Sequence, residues 1–449
     1  MKSIAFTFVF LLNTPSFAID AKIKKALQNA IDKQTSQNVS VGISVGIIDL
    51  EDRASFHSGM KDLASNTQLK GDEYFAIGSV SKTFTSLLLS KAVTEGKIDI
   101  DDKVESVLSE FEGSQIGSIT LRQLSSHSSG LQRDPKKLSG DNILLPFENY
   151  SRADLIKELK EAKFTTSAGN FKYSNLGIAL LGICLEEIFQ ADFETLMHKE
   201  IFSPLNLSEI FVTMTEAQIP LMPSKYSSDF TKLPIWKDLG FFNSVGSFKA
   251  TTETMLDYLY AQLNPGSTLL KEAIENSQNE IQAFPNLSLA YGWIVRDLAG
   301  KKVYWHNGST AGFLTDVYFI PAEKKAMVVF NNSDTSTDCV VNIFFLGDTE
   351  CSAQDIGLDT DEFMQKASGF YLNKEFKMLL QVTKTDYGFL KIQVVGQAQS
   401  VRLFKVSENS YVFLNGQGKL SFDYDENKEI IGLTFIQSGN TIKTMKVDI

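Results

Sequence analysis

The chain has 449 residues, 43% hydrophobic and 22% charged, which supplies a real core and, at about 150 residues per domain, suggests two or three domains. Disorder, collagen and coiled coil are excluded. A formal charge of −11 argues against a nucleic-acid partner. The three cysteines and four histidines lack metal-ligand spacing, so no metal and no cofactor are expected.

Residues 1–18 read as a secretory signal: Lys2, an apolar run from Ile4 to Leu12, then Pro15 with the small residues Ser16 and Ala18. The run is about half the ~20 residues needed to span a bilayer. Cleavage and export to the periplasm or medium are therefore expected, with no stable membrane span. A helix follows over Ala21 to Lys33, then a strand in VSVGISVGIIDL and a hairpin turn at 51–53. Phe84 to Val93 predicts a buried helix ended by Gly96. Leu155 to Ala162 predicts another helix, and Leu176 to Phe189, apolar on most sides, an internal one. Past residue 290 the chain returns to strands.

Strands at both ends with helices between them predict one mixed α/β domain over 19–350 whose terminal strands share a sheet. Residues 351–365 read as a polar linker. Residues 366–449 contain no Pro, Trp, His or Cys and alternate strongly between turn signals, the pattern of a small antiparallel barrel or sandwich. Outside the cytoplasm Cys339 and Cys351 could pair, although their spacing suits two free thiols equally well.

Among nucleophile candidates, Ser44 in Gly42-Ile43-Ser44-Val45-Gly46 fits G-x-S-x-G. That motif requires a strand, a sharp turn and a helix, whereas strand residues continue on both sides here, so Ser44 reads as a strand serine. Ser-x-x-Lys occurs twice, about as often as chance predicts. Ser58 and Lys61 fall in a turn; Ser79 and Lys82 fall in the first turn of the buried helix, where i, i+3 spacing puts both on one face. A helix N-terminus favours developing negative charge, and a half-buried lysine can act as a base near neutral pH. A capping serine with a snorkelling lysine would give the same four residues.

FAIGSVSKTFTSLLL, Tyr173-Ser174-Asn175 at the start of the internal helix, and His306-Asn307-Gly308 at the end of the strand KVYWH occur in order. With ITLRQLSSHSSGL (Arg122, His127, Gly130) and VYFIPAEKKAMVVFNNS, they resemble the penicillin-recognising serine hydrolases. That family holds class C β-lactamases, D-Ala-D-Ala carboxypeptidases and related esterases and D-aminopeptidases. The likeness runs from about Ser40 to Asn332, and the C-terminal part resembles the lipocalin-like module of some members, read as packing or substrate-rim material. Further copies, Tyr371-Leu372-Asn373 and His57-Ser58-Gly59, fall out of order, and His127 reads as a structural hydrogen-bonder.

The resemblance implies an α/β (α+β) fold, with an antiparallel sheet, a helical subdomain and a C-terminal all-β barrel-like domain. It also implies an acyl-serine enzyme acting on β-lactams, D-amino-acid peptides or esters. Ser79 would be the nucleophile, with Lys82 and Tyr173 sharing the proton work, and Lys82 and His306 would stabilise the Tyr173 phenolate. Asn175 would orient Lys82 and the substrate amide, and the amides of Ser79 and Ser309 would bind the oxyanion. Gly308 would clear the strand edge for substrate, and His306 would donate to a carboxylate or to Tyr173. His306 stands where class C enzymes carry lysine, and Asn307 replaces a hydroxyl residue, so activity is expected to follow histidine titration near neutrality. A non-catalytic sensor would have lost Ser79, Lys82 or Tyr173; all three are present.

Overall fold

Asp20 accepts the Lys22 amide and so caps the first helix, α1 (Ala21–Ser36). This computed structural model describes residues 19–136, 147, 150–162, 164, 169–335, 337–349, 359–397, 400–413, 418–437 and 440–448. The expected signal at 1–18 lies outside them, as does most of the expected linker.

Strands β1 (Gly42–Asp49) and β2 (Asp52–Asp62) form the expected hairpin. After the helical middle of the chain come β3 (Ile294–Leu298), β4 (Lys301–Ser309), β5 (Leu314–Ile320) and β6 (Lys325–Asn331). The nine-stranded antiparallel sheet runs Thr67–Gln68, β2, β1, β6, β5, β4, β3, Leu287–Leu289, Gln282–Phe284. N-terminal β1 thus pairs with β6, as the sequence predicts.

Both faces of the sheet are covered, which is why β1 has no exposed residue. Ile43, Val45 and Ile47 pack with Leu27 and Ile31 of α1 on one face. On the other lie α2 (Ser81–Thr94), α3 (Asn175–Phe189) and α4 (Thr252–Leu263). Ten consecutive residues of α3, Leu176 to Leu185, are buried, so this helix runs through the core.

Two local expectations are corrected. Ser58 and Lys61 lie in strand β2, not in a turn, and residues three apart on a strand point to opposite faces. Ser58 Oγ instead bonds Asp32 at 2.7 Å and Thr35 at 2.8 Å. The segment read as linker ends in a helix, Asp361–Ala367, whose Met364 and Ala367 sit in the core of the second sheet.

That second sheet has nine antiparallel strands between Gly369 and Val447. Its edge strands, Ser400–Arg402 and Phe404–Ser407, are consecutive in the chain, so the sheet nearly closes into a barrel filled by side chains such as Tyr371, Tyr411 and Phe422. Cys339 is disulfide-bonded and Cys184 is free and buried; Cys351 lies outside the described residues. No helix among the described residues is long and apolar enough to cross a membrane.

Candidate active site

Ser79 occupies a 3-10 turn, Gly78–Val80, that feeds α2. The helix cap is Val80, without a side-chain cap bond, so the Ser79 hydroxyl is not spent on capping. Gly78 has φ +53°, and a Cβ there would lie 2.8 Å from the Ser309 nitrogen; only glycine allows both the conformation and the approach. Lys82, one turn on, is fully buried, and its Nζ donates to Ser79 Oγ at 2.8 Å and to the Val245 carbonyl at 2.7 Å. Burial, helped by the Arg133 charge, holds its pKa well below the usual lysine range.

Tyr173 reaches this pair from the loop before α3, where Ser174 caps the helix by accepting the Gly177 amide. Lys82 Nζ lies 5.2 Å from the Tyr173 ring centroid. Burial pushes the phenol up to about 12, against the downward pull of its hydrogen bond with Ser79 and the charge of Arg133. His127 packs on the same ring at 4.2 Å, and its Nδ1 accepts the Ser174 amide at 3.2 Å. It is a structural hydrogen-bonder that also forms one wall of the tyrosine pocket.

The strand side is built by β4. His306 is 2% exposed, and burial plus the neighbouring Lys82 lower its pKa to about 3. It is neutral across the physiological range, so two expectations are corrected: His306 is not a second cation beside Tyr173, and it does not titrate near neutrality. Gly308 is required by main-chain packing, because a Cβ there would sit 2.0 Å from the Ile77 carbonyl and 2.9 Å from the Ser79 nitrogen. The Thr310 amide bonds Phe313 across the turn. Alternation along the ladder then turns the Ser309 amide away from β5, toward the Ser79 turn.

Asn175 departs from its expected role toward Lys82. Its Nδ2 donates to Asp134 Oδ1 at 2.6 Å, its Oδ1 is buried with no hydrogen-bond partner among the described residues, and Lys82 is oriented by the Val245 carbonyl. Sequence reasoning passed over Val245, Arg133 and Asp134. Val245 acts through its backbone, which leaves no trace in residue type. Arg133 and Asp134 form a charged pair just after the SSHSSGL segment, the one signal that could have drawn attention to them. Ser44, the alternative serine, is fully buried and bonded to His57 and Thr252.

The nucleophile turn, the buried lysine, the tyrosine and the glycine strand therefore meet at one place, and a family model for beta-lactamase matches residues 27–344. The chain belongs to the beta-lactamase family. It is 24% identical over 354 residues to a beta-lactamase of Providencia stuartii, covering 71% of this chain and 88% of the relative. It is 21% identical over 341 residues to penicillin-binding protein 4 of Amycolatopsis lactamdurans, covering 71% and 87%. Among solved structures, a class C beta-lactamase superposes with a TM-score of 0.65 at 20% identity, over 72% of this chain and 94% of that one. A D-alanine carboxypeptidase from Burkholderia cenocepacia gives 0.62 at 23%, over 70% and 95%. The fold is thus that of the serine hydrolases of the beta-lactamase family, and the C-terminal barrel lies beyond the segment matched by the family model.

Proposed function

We propose that this protein is an exported serine hydrolase that forms an acyl-enzyme at Ser79 from β-lactams or D-amino-acid peptides. The observation that carries the reading is Lys82, fully buried, with its pKa lowered and bonded at 2.8 Å to Ser79 Oγ. A neutral amine at that distance takes the hydroxyl proton as the oxygen attacks a carbonyl. Tyr173, hydrogen-bonded to Ser79 and keeping its own proton at neutral pH, delivers that proton to the leaving group and regains from the Lys82 ammonium the one Ser79 gave up. Deacylation runs the same path in reverse, with water in place of the leaving group. The amides of Ser79 and Ser309 hold the oxyanion. The signal-like residues 1–18 support export, and the relatives' names support the substrate class.

One observation favours a second reading, an esterase or D-aminopeptidase: neutral His306 is a weaker partner for a substrate carboxylate than a lysine would be. Incubating the protein and Ser79→Ala with fluorescent penicillin, a chromogenic cephalosporin and a short-chain ester separates the readings. Stable labelling at Ser79 indicates a carboxypeptidase and rapid cephalosporin turnover a β-lactamase. Ester cleavage without penicillin labelling indicates the second reading, and no reaction with any probe overturns both.

A further inference from the structure

The barrel meets the catalytic domain at segment 225–233 and at the loop before β1, where Asn38 donates to the Tyr387 carbonyl at 2.9 Å. Asp229, 4% exposed, accepts hydrogen bonds from Lys391 at 3.2 Å and from Ser400, both in the barrel. Its neighbour Phe230 takes φ +62°, a costly conformation for a bulky residue. The Phe230 ring packs edge-on against barrel residue Phe389 at 5.1 Å. Arg402, 1% exposed, covers the contact with its guanidinium 3.9 Å from the Phe389 centroid and donates to the Asn38 carbonyl.

The other side of the same segment supports the turn after β4. Lys225 Nζ donates to the Thr310 carbonyl at 2.7 Å. Gly312 lies so close that a Cβ would sit 3.1 Å from the Tyr226 carbonyl and 3.2 Å from the Leu233 side chain. Barrel, segment and turn thus form one packed series ending a residue from the Ser309 amide.

We propose that the C-terminal barrel positions the active site: Phe389, Lys391 and Arg402 hold segment 225–233, which holds turn 310–313 and thereby aims the Ser309 amide. The effect on rate rests on the acyl-serine reading above; the effect on the turn does not. None of the three barrel residues touches the reacting groups, so they are positioning residues.

The test uses the full chain with Phe389→Ala and, because a cavity variant can fail to fold, Lys391→Met separately. Two readouts are taken: amide hydrogen exchange at 309–313 and, with fluorescent penicillin or an ester, acylation rate and KM. Exchange at 309–313 should rise at least tenfold while α2 stays protected. The acylation rate should fall about tenfold with KM within twofold, and Lys391→Arg should restore both. Unchanged exchange at 309–313 in both variants overturns the proposal, as does unchanged acylation in a wild type that labels. A wild type that labels with no probe refutes the acyl-serine reading alone, and exchange still decides whether the barrel holds the turn.

Discussion

Arg133 holds its guanidinium 4.8 Å from the centroid of the Tyr173 ring, and its charge lowers the pKa of both Tyr173 and Lys82. A positive group there favours the uncharged amine and the charged phenolate, so removing it raises both values.

Arg133→Gln should therefore move the acid limb of the Ser79 labelling rate to higher pH, by on the order of half a unit for an exposed charge. Arg133→Lys should keep the wild-type profile. Superimposable profiles for wild type and Arg133→Gln would remove Arg133 from the electrostatics of the site.

Burying the Lys82 amine costs stability below its unfolded pKa. Its folded pKa lies below the unfolded 10.5, so the unfolded state holds the extra proton and stability rises with pH through that window. Lys82→Met should stabilise the protein at pH 7 by about 1–2 kcal/mol, the unpaired Val245 carbonyl taking back part of the gain. It should also abolish labelling and flatten the rise in stability toward pH 10. Urea unfolding at the two pH values measures this, and a destabilised Lys82→Met would contradict it.

Gly308→Ala drives a methyl group into the Ile77 carbonyl, 2.0 Å away. Because the obstacle is backbone, the turn that carries Ser79 must shift. A loss of about 2–4 kcal/mol and of at least ~100-fold in rate is expected. Gly96→Ala is the control: φ there is +66° with nothing within 4 Å, so it should cost only about 1 kcal/mol and leave the rate unchanged. Thermal melts and labelling rates distinguish the two.

On the far face of the sheet, burial raises the Asp316 carboxyl from 3.8 to about 6 despite its hydrogen bond from Trp305. Between those values the folded state binds more protons than the unfolded one, so stability falls as pH rises through the window and stays lower above it. Asp316→Asn, which keeps an acceptor for Trp305, should add about 1–2 kcal/mol at pH 7 and nothing at pH 3. An equal effect at both pH values would assign the change to packing.

The fold was legible where period and punctuation agreed. Leu176–Phe189 is apolar on most sides and long enough to be only a buried helix, and the C-terminal runs alternate cleanly between turns. Ser58 was misplaced because polar and glycine residues in its strand imitate a turn, and the helix at 361–367 was missed because its acidic flank resembles a linker. At the site, residue types located Ser79, Lys82, Tyr173 and His306, which the fold brings together. The charge on His306 was beyond reach, since it depends on burial contributed by distant segments. So was the role of Val245, whose contribution is a carbonyl that every residue carries.

The approach of Gly308 to Ile77 has a consequence for divergence. The sheet and the nucleophile turn meet there main chain to main chain, with no side chain between them. Substitution rewrites side chains and leaves carbonyls and amides alone, so a geometry registered on such a contact tolerates wholesale replacement of its surroundings. That is one physical reason a catalytic fold can persist while four residues in five are exchanged, the distance separating this chain from a class C beta-lactamase of known structure.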